Sequence, residues 1–163
     1  IMLTAPSTQG LIVSVSPLAT PALEEVSGYC GWPVLMHATP LELRREMLRC
    51  IPRTSLFWLD DERYVGVTAE LMSWLATWEP AVRRIAIAYR LATDVEVAMR
   101  SAGVHLYLAA DDDLRSVLEV AVAPWPHSRD RPALAVGEPS SVVHPVGRSR
   151  ASPLNNLHVS GPP

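Results

Sequence analysis

The sequence predicts a three-layer α/β sandwich, with five parallel strands in the order 2-1-3-4-5 and helices on both faces of the sheet. Three observations carry this expectation. Five short apolar runs alternate with amphipathic segments at about 22 residues per unit, the spacing that parallel strands joined by crossover helices require. The run Leu56-Phe57-Trp58-Leu59 shows no polar alternation, as a strand buried on both faces should, and it stops abruptly at Asp60-Asp61-Glu62. Helix-start signals of one form, Thr39-Pro40-Leu41-Glu42 and Thr93-Asp94-Val95-Glu96, precede the second and fourth helices. In this order the third strand, Thr54–Leu59, is central.

The first strand is Leu11–Val15. Thr20-Pro21 then opens a helix with a hydroxyl N-cap and proline at the first helical position. Leu23, Val26 and Cys30 share its inner face, and Gly28 and Gly31 end it near Trp32. Pro33–Ala38 is the second strand. The second helix runs from Pro40 to about Ile51, burying Leu43, Met47, Leu48 and Ile51 while Arg44, Arg45, Glu46 and Arg49 face water, and Pro52 stops it. After the central strand a loop is expected from Asp61 to about Thr68. Leu71, Trp74, Leu75 and Trp78 then recur at helical spacing, and the tryptophan pair fits packing better than ligand stacking. Arg84–Tyr89 is the fourth strand, with small residues that let helices approach. The fourth helix runs from the Thr93 box to Gly103, and Val104–Ala109 is the fifth strand. Leu114, Val117, Leu118 and Ala121 line the last helix, which closes the domain near Ala123.

That domain spans residues 10–123, between a flexible N-terminus of residues 1–9 and a proline-rich flexible tail of residues 124–163. The tail holds eight of the 15 prolines and no sustained apolar period, so it lacks the means to bury a core. It carries four arginines against two acids, which makes it about +2 and the remainder about −5 where the whole chain is −3.

Composition excludes several function classes. Apolar residues make up 48% and the mean hydropathy is +0.14, as a sheet covered on both faces demands. No apolar run reaches the roughly 20 residues that span a bilayer, and no basic segment precedes Leu11–Val15, so neither a membrane span nor a signal peptide is expected and the cytoplasm is the default. A net charge of −3 argues against a nucleic-acid surface. All 14 basic residues are arginines, so no step needing an ammonium side chain can occur. Cys30 and Cys50 are too few for a disulfide scaffold or a metal cluster and look like small apolar helix residues. His37, His105, His127, His144 and His158 have no metal-ligand spacing. There is no Gly-x-Ser-x-Gly elbow, and Ser27-Gly28-Tyr29-Cys30-Gly31 follows a helix where a phosphate-binding loop would follow a strand. Neither an enzyme nor a cofactor is expected.

Two stretches carry a family resemblance. Ser55-Leu56-Phe57-Trp58-Leu59-Asp60 resembles the strand that ends in the phosphoacceptor aspartate of bacterial response-regulator receiver domains. Ala102-Gly103-Val104-His105-Leu106-Tyr107-Leu108-Ala109-Ala110-Asp111-Asp112-Asp113-Leu114 resembles the segment around the fifth strand of the same flavodoxin-like family. The likeness covers roughly residues 10–123. It implies a site at the carboxyl ends of the strands: an acidic pair after the first strand for Mg²⁺, a nucleophilic aspartate after the third, a Thr or Ser after the fourth and a Lys after the fifth.

Against that pattern only Asp60 remains. The first strand leads into Val15-Ser16-Pro17-Leu18, the fourth ends at Ala88-Tyr89 in place of a small hydroxyl, and Ala110 stands at the lysine position. Asp61, Glu62 and Asp111 form a neighbouring acidic cluster. The resemblance therefore implies a non-catalytic pseudo-receiver that works by protein–protein interaction, without conventional Mg²⁺-dependent aspartyl phosphorylation. Two alternatives stay open. One is a small-ligand or divalent-metal-binding flavodoxin-like domain, with Asp60, Asp61 and Asp111 converging, although capping of the last helix by Asp111–Asp113 is the plainer role. The other is an atypical response regulator phosphorylated on Asp60. By the same resemblance the fourth helix, fifth strand and fifth helix form an output face with Arg90, Val97, Arg100 and Arg115, beside Val120. Its expected partner is a signalling or transcriptional protein, or a second copy in a homodimer.

Overall fold

The computed structural model describes residues 9–91, 94–111 and 113–124. The elements run β1 (Gly10–Ser14), α1 (Pro21–Cys30), β2 (Val34–Leu35), α2 (Pro40–Arg49), β3 (Thr54–Leu59), a 3₁₀ turn (Glu62–Tyr64), α3 (Val65–Trp78), β4 (Arg83–Tyr89), α4 (Val95–Ser101), β5 (Leu106–Ala110) and α5 (Leu114–Val122). All five strands are parallel, in the order β2-β1-β3-β4-β5. The predicted architecture and strand order are both present, with β3 central.

Alternation along the strands sorts the core into two layers. Leu11, Val13, Phe57, Leu59, Ala86 and Ala88 pack on one face against Leu43 and Met47 of α2, Leu71, Met72 and Leu75 of α3, and Val95 and Met99 of α4. Ile12, Leu56, Trp58, Ile85 and Ile87 pack on the other against Leu23 and Val26 of α1 and Leu114, Leu118 and Ala121 of α5. The alanines of β4 let α3 and α4 sit close to the sheet. Two arginines fix the amino end of β4. Arg83 Nη1 donates to the carbonyls of Ala121 and Ala123, closing the end of α5. Arg84, also buried, donates to the carbonyls of Gly103, Pro80 and Val82.

Local signals and structure agree at the helix starts. Thr20 caps α1 by accepting from the Leu23 N–H, and Gly31 ends the helix in the left-handed region at φ 65°. Thr39 and Glu42 form the full capping box of α2. Asp113 caps α5 by accepting from the Ser116 N–H. Thr93, the hydroxyl of the other box, lies outside the described residues, and Asp94 makes no side-chain capping bond.

Several expectations need correction. Gly28 sits inside α1 and does not help to end it. The second strand is only Val34–Leu35, because β1 pairs with those two residues alone and the chain turns through a left-handed His37 at φ 51°. α2 stops at Arg49, with Cys50 as an extended C-cap. With Leu43 and Met47 facing inward, Leu48 is rotated about 100° from Met47. Leu48 is therefore 74% exposed and Ile51, past the helix, 57%. Cys50 is exposed too, while Cys30 is half-buried and its thiol is pushed up to about 11 by burial. The loop expected after Asp61 is helical: the 3₁₀ turn passes directly into α3 at Val65, and Thr68 is buried. Among the described residues no helix is long and apolar enough to cross a membrane.

Candidate functional site at the carboxyl edge of the sheet

Parallel strands deliver their carboxyl ends to one edge, and Asp60 follows directly on the end of β3 there. Asp60 lies two residues beyond Trp58 and so belongs to the α1 side of the sheet. Its Oδ2 accepts a hydrogen bond of 3.3 Å from Thr20 Oγ1. The same hydroxyl accepts from the Leu23 N–H at 3.3 Å. One threonine thus caps α1 and holds the carboxylate at the tip of the central strand.

The adjoining acids are turned to other uses. Asp61 caps the 3₁₀ turn through the Arg63 N–H at 2.9 Å and takes the Arg63 guanidinium on both oxygens, Oδ1 at 3.1 Å from Nε and Oδ2 at 2.6 Å from Nη2. These bonds from Arg63, the side chain first and the backbone second, lower the Asp61 carboxyl to about 2. Glu62 is exposed in the 3₁₀ turn, and Asp111 is exposed after β5. Asp113 bonds Ser116 through its backbone N–H and its hydroxyl, at 3.1 and 2.6 Å, which lowers its carboxyl below the ordinary range. Asp112 lies outside the described residues. Among the described residues no group of three or more His, Cys, Asp or Glu side chains is placed to hold a metal ion, so the proposed convergence of Asp60, Asp61 and Asp111 does not form.

Ser14 and Ser16 are buried at the end of β1, and the ends of β4 and β5 are aromatic or apolar. After β1, Val15 is half-buried and Ser16 turns its Oγ back to the Leu18 N–H at 3.2 Å. At the end of β4, Ala88 is buried and Tyr89 stacks on Trp58, with ring centroids 5.5 Å apart and planes 27° apart. The Arg90 guanidinium lies 4.8 Å over the Tyr89 ring, and the residue sits in the left-handed region at φ 56°. Ala110 ends β5 fully buried and accepts from the Arg90 N–H at 3.1 Å. Tyr89 therefore occupies space beside Asp60's strand that a small hydroxyl would leave open.

Two features here escape the sequence. Thr20 is legible as a helix cap, but its bond to Asp60 depends on how the first helix meets the third strand. The Trp58–Tyr89–Arg90 stack follows from the register Trp58↔Ile87, which puts Tyr89 two residues on along the same face. The four output-face residues divide: Val97 and Arg115 are exposed on α4 and α5, Arg100 pairs with Glu96 at 2.7 Å, and Arg90 belongs to the carboxyl edge, over Tyr89.

No family model matches the sequence, and no curated protein matches it. Solved structures do resemble the chain. The receiver domain of NtrX from Brucella abortus matches at a TM-score of 0.51 and 14% identity, over 69% of this chain and 93% of that one. A response regulator from Thermotoga maritima matches at a TM-score of 0.51 and 16% identity, over 70% of this chain and 94% of that one. The fold is that of a receiver domain. At such identities the likeness speaks for architecture alone.

Proposed function

We propose that this receiver-fold chain is a non-catalytic signalling module that acts through protein–protein contacts, and that Asp60 does not serve as a conventional Mg²⁺-dependent phosphoacceptor. The observation that carries the reading is the isolation of Asp60. Its carboxylate has Thr20 as its hydrogen-bond partner, and the edge around it presents Val15, Ser16, Tyr89 and Ala110. A carboxylate attacking a phosphate dianion needs positive charge to offset the repulsion and fixed donors for the transferring oxygens. Mg²⁺ takes about six oxygen ligands in near-octahedral geometry, usually with more than one carboxylate held close. Here Asp61 is committed to Arg63, and no acid follows β1, so the donor set does not fit the ion. The lysine is absent from the whole chain.

The module would be soluble in the cytoplasm, with a signalling or transcriptional protein as partner and the residue 10–123 domain as its working part. Incubation of the full chain with acetyl phosphate and Mg²⁺, followed by intact-mass and peptide mass spectrometry, tests the reading. The expected result is an unmodified chain. A phosphoryl group on Asp60, absent from Asp60→Asn, would instead assign the chain to atypical phosphorylated regulators.

A further inference from the structure

The outward face of α2 exposes apolar and basic side chains together. Leu41 and Leu48 stand seven residues apart on it, 66% and 74% exposed, and Ile51 follows just past the helix end. Between and beside the leucines lie Arg44, Arg45 and Arg49, all exposed. The acids of the same helix offset this face only in part. Glu42 turns back to the Thr39 N–H and hydroxyl, at 3.3 and 3.2 Å, and Glu46 pairs with Arg49 at 3.1 Å, so the helix carries three arginines against two acids. Arg44 is held in place, its guanidinium 5.2 Å over the ring of Trp78, which in turn lies 4.7 Å from the Trp74 ring. A stacked guanidinium keeps its edge free for a carboxylate and has lost little further freedom on binding.

We propose that this α2 face, continued by Trp78 of α3, docks an acidic amphipathic helix of a partner protein. Leucines at heptad spacing suit the seam of one helix laid alongside another. Arginine and tryptophan are the residues that most often anchor such contacts. The charge chooses among occupants. The face is basic while the chain is −3 overall, so a partner with glutamates or aspartates flanking its apolar seam is complementary. The chain's own residues 124–163 carry four arginines against two acids, so their sequence offers no acidic seam. A lipid surface would call for a wider apolar face with bulky side chains, and this stripe is one leucine wide. The inference adds a surface to the adaptor reading and rests on it only for the partner being a protein. Phosphorylation of Asp60 would overturn that reading without bearing on this surface.

The test uses the full ¹⁵N-labelled chain and a synthetic helical peptide with a leucine heptad seam flanked by glutamates. Saturable shifts at the amides of residues 41–49 and at the Trp78 indole N–H are expected. The same peptide with lysines for glutamates should not bind. Leu48→Glu and Arg45→Glu, both at exposed positions, should each weaken binding at least ten-fold while leaving the unfolding midpoint unchanged. Absence of binding, shifts elsewhere, or equal binding of the lysine peptide would overturn the proposal. A concentration-dependent dimer abolished by Leu48→Glu would assign the face to a second copy, and binding to phosphatidylserine vesicles abolished by Arg45→Glu would assign it to lipid. Either result overturns it too.

Discussion

Thr20 and Asp60 offer the sharpest energetic test, because one hydroxyl serves two masters across 40 positions of sequence. Thr20→Val removes both of its bonds while keeping the shape of the side chain. Loss of the N-cap bond to Leu23 should cost about 1 kcal/mol. The bond to Asp60 joins a neutral donor to a half-buried carboxylate, but at 3.3 Å it is long, so about 0.5–1.5 kcal/mol is the expected share. Thr20→Val should therefore lose about 1.5–2.5 kcal/mol, and Thr20→Ser less, since it keeps the hydroxyl. Asp60→Ala should lose only the second part. The assay is urea unfolding at pH 7 of the parent, both single variants and the double variant. The cycle should return a coupling of about 0.5–1.5 kcal/mol. A coupling indistinguishable from zero would refute the reasoning: Thr20 would then not hold the Asp60 carboxylate in solution.

Three further outcomes are expected. By carbon-detected NMR the Asp61 carboxyl should titrate near pH 2, and Arg63→Ala should return it toward 3.8; because the folded value is depressed, the contact helps the fold above the ordinary carboxylate value and is lost as pH falls toward 2. Arg84→Met, which strips the carbonyls of Gly103, Pro80 and Val82 of a buried charged donor, should lower unfolding free energy by about 2–4 kcal/mol, with Arg84→Lys in between; a change under about 0.5 kcal/mol would show that Arg84 does not fix the amino end of β4. Phe57→Ala, in the centre of the sheet, should cost about 3–5 kcal/mol, while Leu48→Ala should stay within about 0.5 kcal/mol, and denaturant melts giving similar losses for both would contradict the burial described for α2.

How much was legible in the residues differs by scale. The strand order follows from five strand–helix units and right-handed crossovers, neither of which needs side-chain detail. Caps at Thr20, Thr39 and Asp113 were legible because each bond spans three residues. Helix faces were less so. Leu48 is apolar but off the rotation set by Leu43 and Met47, whereas Ile51 keeps that spacing and is lost to the core because α2 ends at Arg49. The start of α3 was missed because Asp61-Glu62-Arg63 resembles a charged loop, whereas Arg63 folds back on Asp61 and starts a helical turn. At the site, absences were plain in one dimension: no acid after β1 and no lysine. What fills the edge instead depends on register between β3 and β4, which places Tyr89 on Trp58 and Arg90 on Tyr89.

The central claim is that the tip of β3 presents a single carboxylate with no clamp for a divalent cation and no donor set for a phosphoryl group. The most direct measurement is an amide NMR map of the ¹⁵N-labelled chain, first with Mg²⁺ and then with Mg²⁺ and beryllium fluoride, an analogue of a carboxylate-bound phosphoryl group. The account predicts unchanged resonances at Asp60, Tyr89 and Ala110 under both conditions. Saturable shifts at those positions that require Mg²⁺ would contradict it.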